Sequence, residues 1–147
     1  DPIEAIQASK KLLLIHIVKK EKMKLLSKIL SLIVGLTVIN VWLFRSGKET
    51  AYRGGDAGSL MDEFVVYGLG DYFLTIGIIK VGLAVLLILS LYLKKLRFFS
   101  ASGIGLMMLV AIYMHFSVGD ELIKSMPATV MLLSCLIIAY SSKKPAK

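Results

Sequence analysis

Residues 72–93 read YFLTIGIIKVGLAVLLILSLYL and contain one charged side chain, Lys80. At about 1.5 Å of rise per residue this stretch makes roughly 33 Å of α-helix, close to the ~30 Å hydrocarbon core of a bilayer. A buried helix in a small soluble domain seldom needs so long an apolar run. The stretch therefore predicts a membrane-spanning helix.

Three other apolar runs have a comparable character: residues 25–44, 98–116 and 126–140. In the first, Lys28 lies in the opening turn and can extend to the interface, and Trp42 fits an aromatic belt near the other end. Pro127 suits the first turn of the last run, whose apolar core is short unless residues 122–126 extend it. The predicted fold is all-α: a four-helix transmembrane bundle, up-down-up-down, with both termini cytoplasmic.

The two ends of the chain differ from this membrane domain, which we place at residues 23–142. Residues 1–22 are lysine-rich around an apolar run, residues 12–18, that is too short to span a bilayer. We interpret them as an amino-terminal extension that is an upstream addition, a cloning remnant or an interfacial helix. Residues 143–147 form a basic tail.

The only substantial loop, residues 45–71, holds six glycines and half of the acidic residues. Residues 59–67 predict a short surface helix with Leu60, Phe64 and Tyr67 on one side. The glycine spacing does not make a phosphate loop, because no G-K-[ST] ending follows and no strand precedes it.

Composition excludes several function classes. Hydrophobic residues make up 56% of the chain and the net charge is +8, but the basic residues flank apolar runs instead of forming an aromatic-interleaved patch. We therefore expect contact with a lipid bilayer and no nucleic acid. Cys135 is the only cysteine, so no intrachain disulfide can form. No catalytic motif, haem-ligand pair or metal-ligand set is recognisable, and we predict neither a catalytic residue nor a metal.

The distribution of Lys and Arg predicts the orientation. With the amino terminus inside, the inner segments carry twelve basic residues and the outer loops carry four. Without the residues before Met23 the inner count falls to seven, which preserves the sign. The positive-inside rule then places both termini in the cytoplasm, consistent with an even number of spans.

Polar side chains within the spans cluster by depth in the predicted outer half of the membrane. We predict a ligand-binding pocket that opens outward and is lined by Asn40, Lys80 and His115, with Asp120 or an acid of the first loop as counter-ion. A charge in hydrocarbon costs at least about 2.5–3.5 kcal/mol, so Lys80 needs water or a partner. The alternative is that Lys80 extends to the interface, His115 is interfacial and Asn40 bonds a neighbouring backbone.

Helical spacing predicts the direction of Lys80. Gly77, Lys80 and Ala84 lie on one helix face, and small residues mark close helix packing in lipid. Lys80 is therefore expected to face the bundle.

Two motifs resemble the DoxX-like family of small four-helix membrane proteins: GIIKVGLAVLL at residues 77–87 and AIYMHFSVGD at residues 111–120, which leads to Pro127. The resemblance covers residues 23–140. It implies that His115 and Asp120 match the third-helix motif of the family and that Lys80 occupies a polar position of the second helix. Cys135 matches no thiol-redox role. The family includes subunits of quinone-linked sulfur oxidation, components of membrane oxidoreductase complexes and a relative of receptor-assembly chaperones.

Two functions remain open at this stage for a multi-pass protein that we place in the bacterial cytoplasmic (inner) membrane. One, which the lack of paired cysteines, haem ligands or a nucleotide motif favours, is a non-catalytic membrane subunit or assembly factor that binds a membrane protein partner or forms a homo-oligomer. The other is a redox-complex subunit that binds a quinone or similar amphipathic small molecule in the outward pocket. No other cofactor is predicted.

The predicted orientation can be tested by cysteine labelling. In a Cys135→Ala background, single cysteines at Lys95 and at Ser142 should both be protected from a membrane-impermeant maleimide in intact cells. A cysteine at Gly47 should react, because it lies on the opposite side. Labelling that places Lys95 and Ser142 on different sides contradicts the four-span topology.

Overall fold

The structure, a computed structural model, describes residues 1–143, and its regular elements are helices. Its α-helices are α1 (Pro2–Ile39), α2 (Leu60–Val66), α3 (Phe73–Leu89), α4 (Lys95–Ser117) and α5 (Met126–Ser142). A π-helical turn, Asn40–Phe44, continues α1, and 3₁₀ turns cover Gly54–Asp56, Gly70–Tyr72 and Leu122–Ser125. Lys144 and Lys147 of the predicted basic tail lie outside the described residues.

The four long helices form a closed ring. α1 packs against α3 and α5, and α4 packs against the same two helices from the other side. α3 and α4, and α4 and α5, are joined by short connections that make them antiparallel, and the longer segment after Phe44 returns the chain from α1 to α3 at the same end. The arrangement is the up-down-up-down bundle that the sequence predicts. The all-α fold class is confirmed.

Four segments within residues 1–143 are long and apolar enough to cross a membrane: Pro2–Phe44, Gly70–Leu89, Lys95–Ser117 and Leu122–Ser142. Their outward surfaces are apolar, and Leu74, Ile78, Leu106 and Leu133 are each more than half exposed. Side chains of this kind are stable against lipid and unfavourable in water. The last segment gains length from the 3₁₀ turn before α5, as one of the sequence alternatives held, and Pro127 lies in the first turn of that helix.

α1 is much longer than the membrane is thick. Together with its π-helical end it has 43 residues, about 65 Å, or roughly twice the hydrocarbon thickness. Residues 1–22 are all exposed and continuous with the first span, and the first buried residue of the helix is Ser27. The origin that we predict for residues 1–22 stays a prediction.

Small residues bring the helices together around the core. Ala84, Ala101 and Cys135 are buried between larger side chains such as Leu87 and Ile104. In lipid, close backbone approach of this kind supplies the packing energy that holds helices together.

Gly77 lies in particularly close contact with Trp42. A Cβ built at this position would lie 2.7 Å from Cζ3 of Trp42, so only glycine leaves room for the indole. Trp42 is held in turn by edge-on contact with Phe64 and by a tilted contact with Phe73. The face that carries Gly77, Lys80 and Ala84 therefore points into the bundle.

α3 ends at Leu89, four residues before the predicted boundary. The guanidinium of Arg97 is buried and donates to the Ser90 carbonyl at 2.8 Å, which satisfies a carbonyl that a longer helix would have used. α4 begins at Lys95, so Arg97 belongs to this helix and not to a solvated turn.

Residues 45–72 fold over one end of the bundle, which we call the loop end. The predicted short helix is present as α2, and the Ser59 hydroxyl caps it by accepting from the Asp62 amide at 3.1 Å. Leu60 and Phe64 are buried, as the predicted one-sided apolar pattern requires. The turn between α4 and α5 lies at the same end.

The contact between Gly77 and Trp42 predicts a matched pair of effects within α3. Gly77→Ala should lower stability by about 1–3 kcal/mol through overpacking. Gly82→Ala should be neutral or stabilise by up to about 1 kcal/mol, because a Cβ at Gly82 would meet no neighbouring side chain within 4 Å and alanine favours the helix. Thermal unfolding in detergent measures both, and equal losses for the two variants would contradict the close packing.

Candidate functional site

His115 and Asp120 form a direct pair at the loop end. The Nδ1 atom of His115 lies 2.8 Å from Oδ2 of Asp120, and both side chains are more than nine-tenths buried. α4 ends at Ser117, and Gly119, at φ 74°, reverses the chain so that Asp120 returns to the histidine one turn below. Two residues of the predicted site are thereby brought together.

Glu63 of α2 is the centre of the buried hydrogen bonds at this end. One carboxylate oxygen, Oε1, accepts from the Gly54 amide at 2.9 Å and from the Tyr67 hydroxyl at 2.8 Å. The other, Oε2, lies 3.5 Å from the guanidinium of Arg53. His115 Nε2 lies 3.8 Å from Oε1, so the same carboxylate also faces the α4 histidine.

Arg53 joins this carboxylate to the end of the first span. Its Nη2 donates to the carbonyls of Arg45 and Lys48, at 3.0 and 3.2 Å. Carbonyls that follow a helix lack intrahelical partners, so the guanidinium satisfies them while it neutralises Glu63.

Lys124 and Asp120 tie the loop to the α4–α5 turn. The Gly55 amide donates to Asp120 Oδ1 at 2.9 Å, and Lys124 Nζ lies 2.6 Å from Oδ1 of Asp56. Lys124 also lies 3.8 Å from Asp120. The contacts of Gly55 with Asp120 and of Asp56 with Lys124 join residues that are 65 and 68 positions apart in the chain.

The electrostatic environment fixes the protonation of two groups outside the spans. Burial alone would raise the pKa of Asp120, but the Gly55 amide, the His115 ring and Lys124 outweigh it and lower that pKa. Burial and the adjacent Glu63 carboxylate raise the pKa of Tyr67. Tyr67 thus stays a neutral phenol that donates to Glu63, with its hydroxyl 3.2 Å from Nδ1 of His115.

A cavity of about 460 Å³, the first cavity, lies beneath this network. Lys80 and His115 both line it, and Asn40 lines it at the π-helical end of α1. Most of the remaining wall is apolar, with Val38, Trp42, Met108, Ala128 and Met131 among its residues. The Lys80 ammonium lies 5.6 Å from the ring centroid of Trp42, within the range of a cation–π contact.

A second cavity of about 350 Å³ lies between α2, α3 and α4. It shares Leu60, Glu63, Lys80 and His115 with the first cavity. Leu106 and Val110, which also line it, are about half or more exposed on the outward face of α4. Lys80 and His115 therefore face both cavities.

The structure brings only two of the four predicted site residues to both cavities. Lys80 and His115 share both cavities, whereas Asn40 reaches the first and is otherwise exposed. Asp120 supports His115 and pairs with Lys124; among the described residues no carboxylate lies within 4.0 Å of Lys80.

Sequence reasoning missed the residues that fold over the site: Arg53, Glu63, Tyr67 and Lys124. Arg53 and Glu63 lie among the charges of the glycine-rich loop, one of whose acids was the alternative counter-ion, and Lys124 lies in the α4–α5 turn. Neither position reveals which charges become buried. Among residues 1–143 no three His, Cys, Asp or Glu side chains converge as a metal-ligand set.

Fold and site together define a small multi-pass helical membrane protein with a polar cavity at one end of its bundle. Comparison with known families is consistent with this class: residues 50–139 match the DoxX-like family, and the chain belongs to it. The resemblance seen in the sequence is confirmed. Comparisons with curated proteins and with solved structures gave no match.

Asp120 predicts how the stability of the loop end depends on pH. A carboxyl whose pKa is lowered by folding stabilises the protein above its unfolded value of about 3.9, and this contribution is lost as pH falls through the folded value. Asp120→Asn should destabilise the protein by about 1–3 kcal/mol at neutral pH, since it removes charge-assisted bonds to His115 and Gly55.

The measurement is the melting temperature of the wild type and of Asp120→Asn at a series of pH values from 7 into the acid range. The difference between the two should shrink as the wild-type carboxylate is protonated. Asp71→Asn is the control, because Asp71 is exposed and has no ion pair among the described residues. A constant difference down to the acid limit would show that Asp120 is not held ionised by its neighbours.

Proposed function

We propose that this protein binds an amphipathic small molecule in the first cavity, with the polar head against Lys80 and His115. A quinone is the candidate that the sequence suggests, and the protein would serve as a subunit of a membrane redox complex. The apolar part of the ligand would lie along the cavity wall and extend toward lipid.

The single observation that carries this proposal is the position of Lys80. Its ammonium group is inside the bundle, lines a sizeable cavity and has no carboxylate partner within 4.0 Å among the described residues. An ammonium group in such surroundings is costly unless water or a ligand contacts it. Intramembrane lysines of this kind are functional-site candidates by default.

The chemistry of the lining suits a quinone head. Quinone carbonyl oxygens accept hydrogen bonds, and the groups that can donate at the cavity include the Lys80 ammonium and the His115 ring. Cavities that bind small molecules are mostly apolar with a few convergent polar groups, and the first cavity has this composition.

The bacterial cytoplasmic membrane and the inward placement of both termini belong to this proposal. The excess of lysine in residues 1–24 and in the turn before α4 supports that orientation. The loop end and its cavities then face the outer side of the membrane.

The alternative function, a non-catalytic membrane subunit or assembly factor, would act through the outer helix faces. Those faces carry large apolar side chains that suit lipid, a partner protein or a second copy of the chain equally. A protein partner that purifies equally with wild type and Lys80→Met would support this alternative, because such a partner would not need the cavity.

Quinone binding can be followed with Trp42, the only tryptophan and a residue of the cavity wall. In nanodiscs, a long-chain quinone should quench its emission in a saturable manner. Lys80→Met should weaken this binding about tenfold, equivalent to the loss of one charge-assisted hydrogen bond of about 1.4 kcal/mol.

Lys28→Met is the matched control, because Lys28 is exposed on a membrane helix and does not line the cavity. It should bind the quinone as the wild type does. Quenching that rises linearly with quinone and is identical in all three proteins reports collisions in the bilayer and contradicts a site.

A further inference from the structure

The cations that line the first cavity differ in whether an acidic side chain pairs with them. Arg53 is paired with Glu63, and Lys124 is paired with Asp56 and lies near Asp120. Each of these cations therefore has an acid beside it. Lys80 and Arg45 line the same space and have no acid within 4.0 Å among the described residues, but Arg45 is exposed, whereas Lys80 is partly buried.

Glu63, which lines both cavities with Lys80, is already committed to other groups. Its two oxygens serve the Gly54 amide, the Tyr67 hydroxyl and the Arg53 guanidinium. A carboxylate so occupied has little capacity left for Lys80. The positive charge at the cavity is consequently not balanced by the protein.

The charged side chains of the whole lining also carry a net positive charge. Arg45, Arg53, Lys80 and Lys124 all line the first cavity, against the single acid Glu63. A ligand that brings a negative charge would complete the set, since a buried charge is stable only when it is paired. A neutral head such as a quinone accepts a hydrogen bond from Lys80 but leaves its charge without a counter-ion.

The remaining wall determines the rest of the ligand. Val38, Met108 and Met131 give the first cavity an apolar surface, and the second cavity reaches the lipid-facing side of α4 at Leu106 and Val110. A molecule with an acyl-like chain can thus contact Lys80 while its chain stays in apolar surroundings. It can arrive from the bilayer without crossing water.

We infer that the ligand of this cavity is an acidic amphiphile: one anionic group, a carboxylate or a phosphate, that pairs with Lys80, carried on a long apolar chain. The inference rests on the proposed function, that the cavity takes an amphipathic molecule, and specifies the charge of its head. Trp42 lies beside the Lys80 ammonium and lines the cavity, so it would contact the part of the ligand's apolar chain next to the anionic group.

The test compares two brominated probes that differ only in the head. A fatty acid and a fatty alcohol with the same chain and the same mid-chain bromines are titrated into the protein in phosphatidylcholine nanodiscs, at about pH 7, where a carboxylate is ionised and an ammonium is protonated. Contact with bromine quenches Trp42. The acid should bind at least tenfold more tightly than the alcohol.

Variants at Lys80 assign this preference to its charge. Lys80→Met should abolish the difference between acid and alcohol, Lys80→Arg should retain it, and Lys28→Met should match the wild type. Equal affinity of acid and alcohol for the wild type overturns the inference. So does an acid preference that persists in Lys80→Met, and the wild-type comparison decides even when a variant does not fold.

Two further arms separate the remaining outcomes. Phosphatidylglycerol added to the nanodiscs should displace the brominated acid in a Lys80-dependent way when the natural source is a phospholipid head, and should not when it is a free acid. If a quinone or the alcohol binds the wild type with the same affinity as the acid, the inference of an acidic head is wrong, but the proposed function still holds. If no probe quenches saturably, the proposed function itself fails.

Discussion

The carboxylate of Glu63 is the constraint on which the loop end depends. It is buried, and a buried carboxylate is stable only when its oxygens are hydrogen-bonded or paired with a cation. Arg53, Gly54 and Tyr67 meet this requirement, and each of them lies in the stretch that folds over the bundle. The glycine-rich segment is thereby held as a lid of fixed shape over the helix ends.

This use of Glu63 also determines the chemistry below it. With Glu63 occupied and Asp120 held by His115, the acids near the cavity are engaged by other groups, and Lys80 is left facing open space. In a soluble protein water would screen such a charge, but a cavity among apolar helices offers little screening. The lid and the unpaired ammonium are two consequences of one distribution of charge, and this is why a ligand is expected at Lys80 and not elsewhere on the bundle.

The fold could be read from the sequence because the bilayer imposes simple requirements. Length and hydropathy locate residues 72–93 and the other spans, and the short turns that join the last three spans favour an antiparallel bundle. The boundary of α3 could not be read in this way, because it depends on Arg97, whose role as a cap appears only when α3 and α4 are side by side. The site was partly accessible: depth along the helices grouped Lys80 with His115, whereas Arg53 and Glu63 looked like ordinary loop charges.

The sequence by itself determined that the chain crosses a membrane in four helices, that Lys80 lies on an inward face with Gly77 and Ala84, and that His115 and Asp120 lie near one another. These follow from local periodicity and from the cost of exposing backbone and charge to lipid. Only the tertiary structure decided which charges neutralise one another, because pairs such as Asp56 with Lys124 join segments 68 positions apart. That pairing left Lys80 without an acid, and no local pattern in the chain records it.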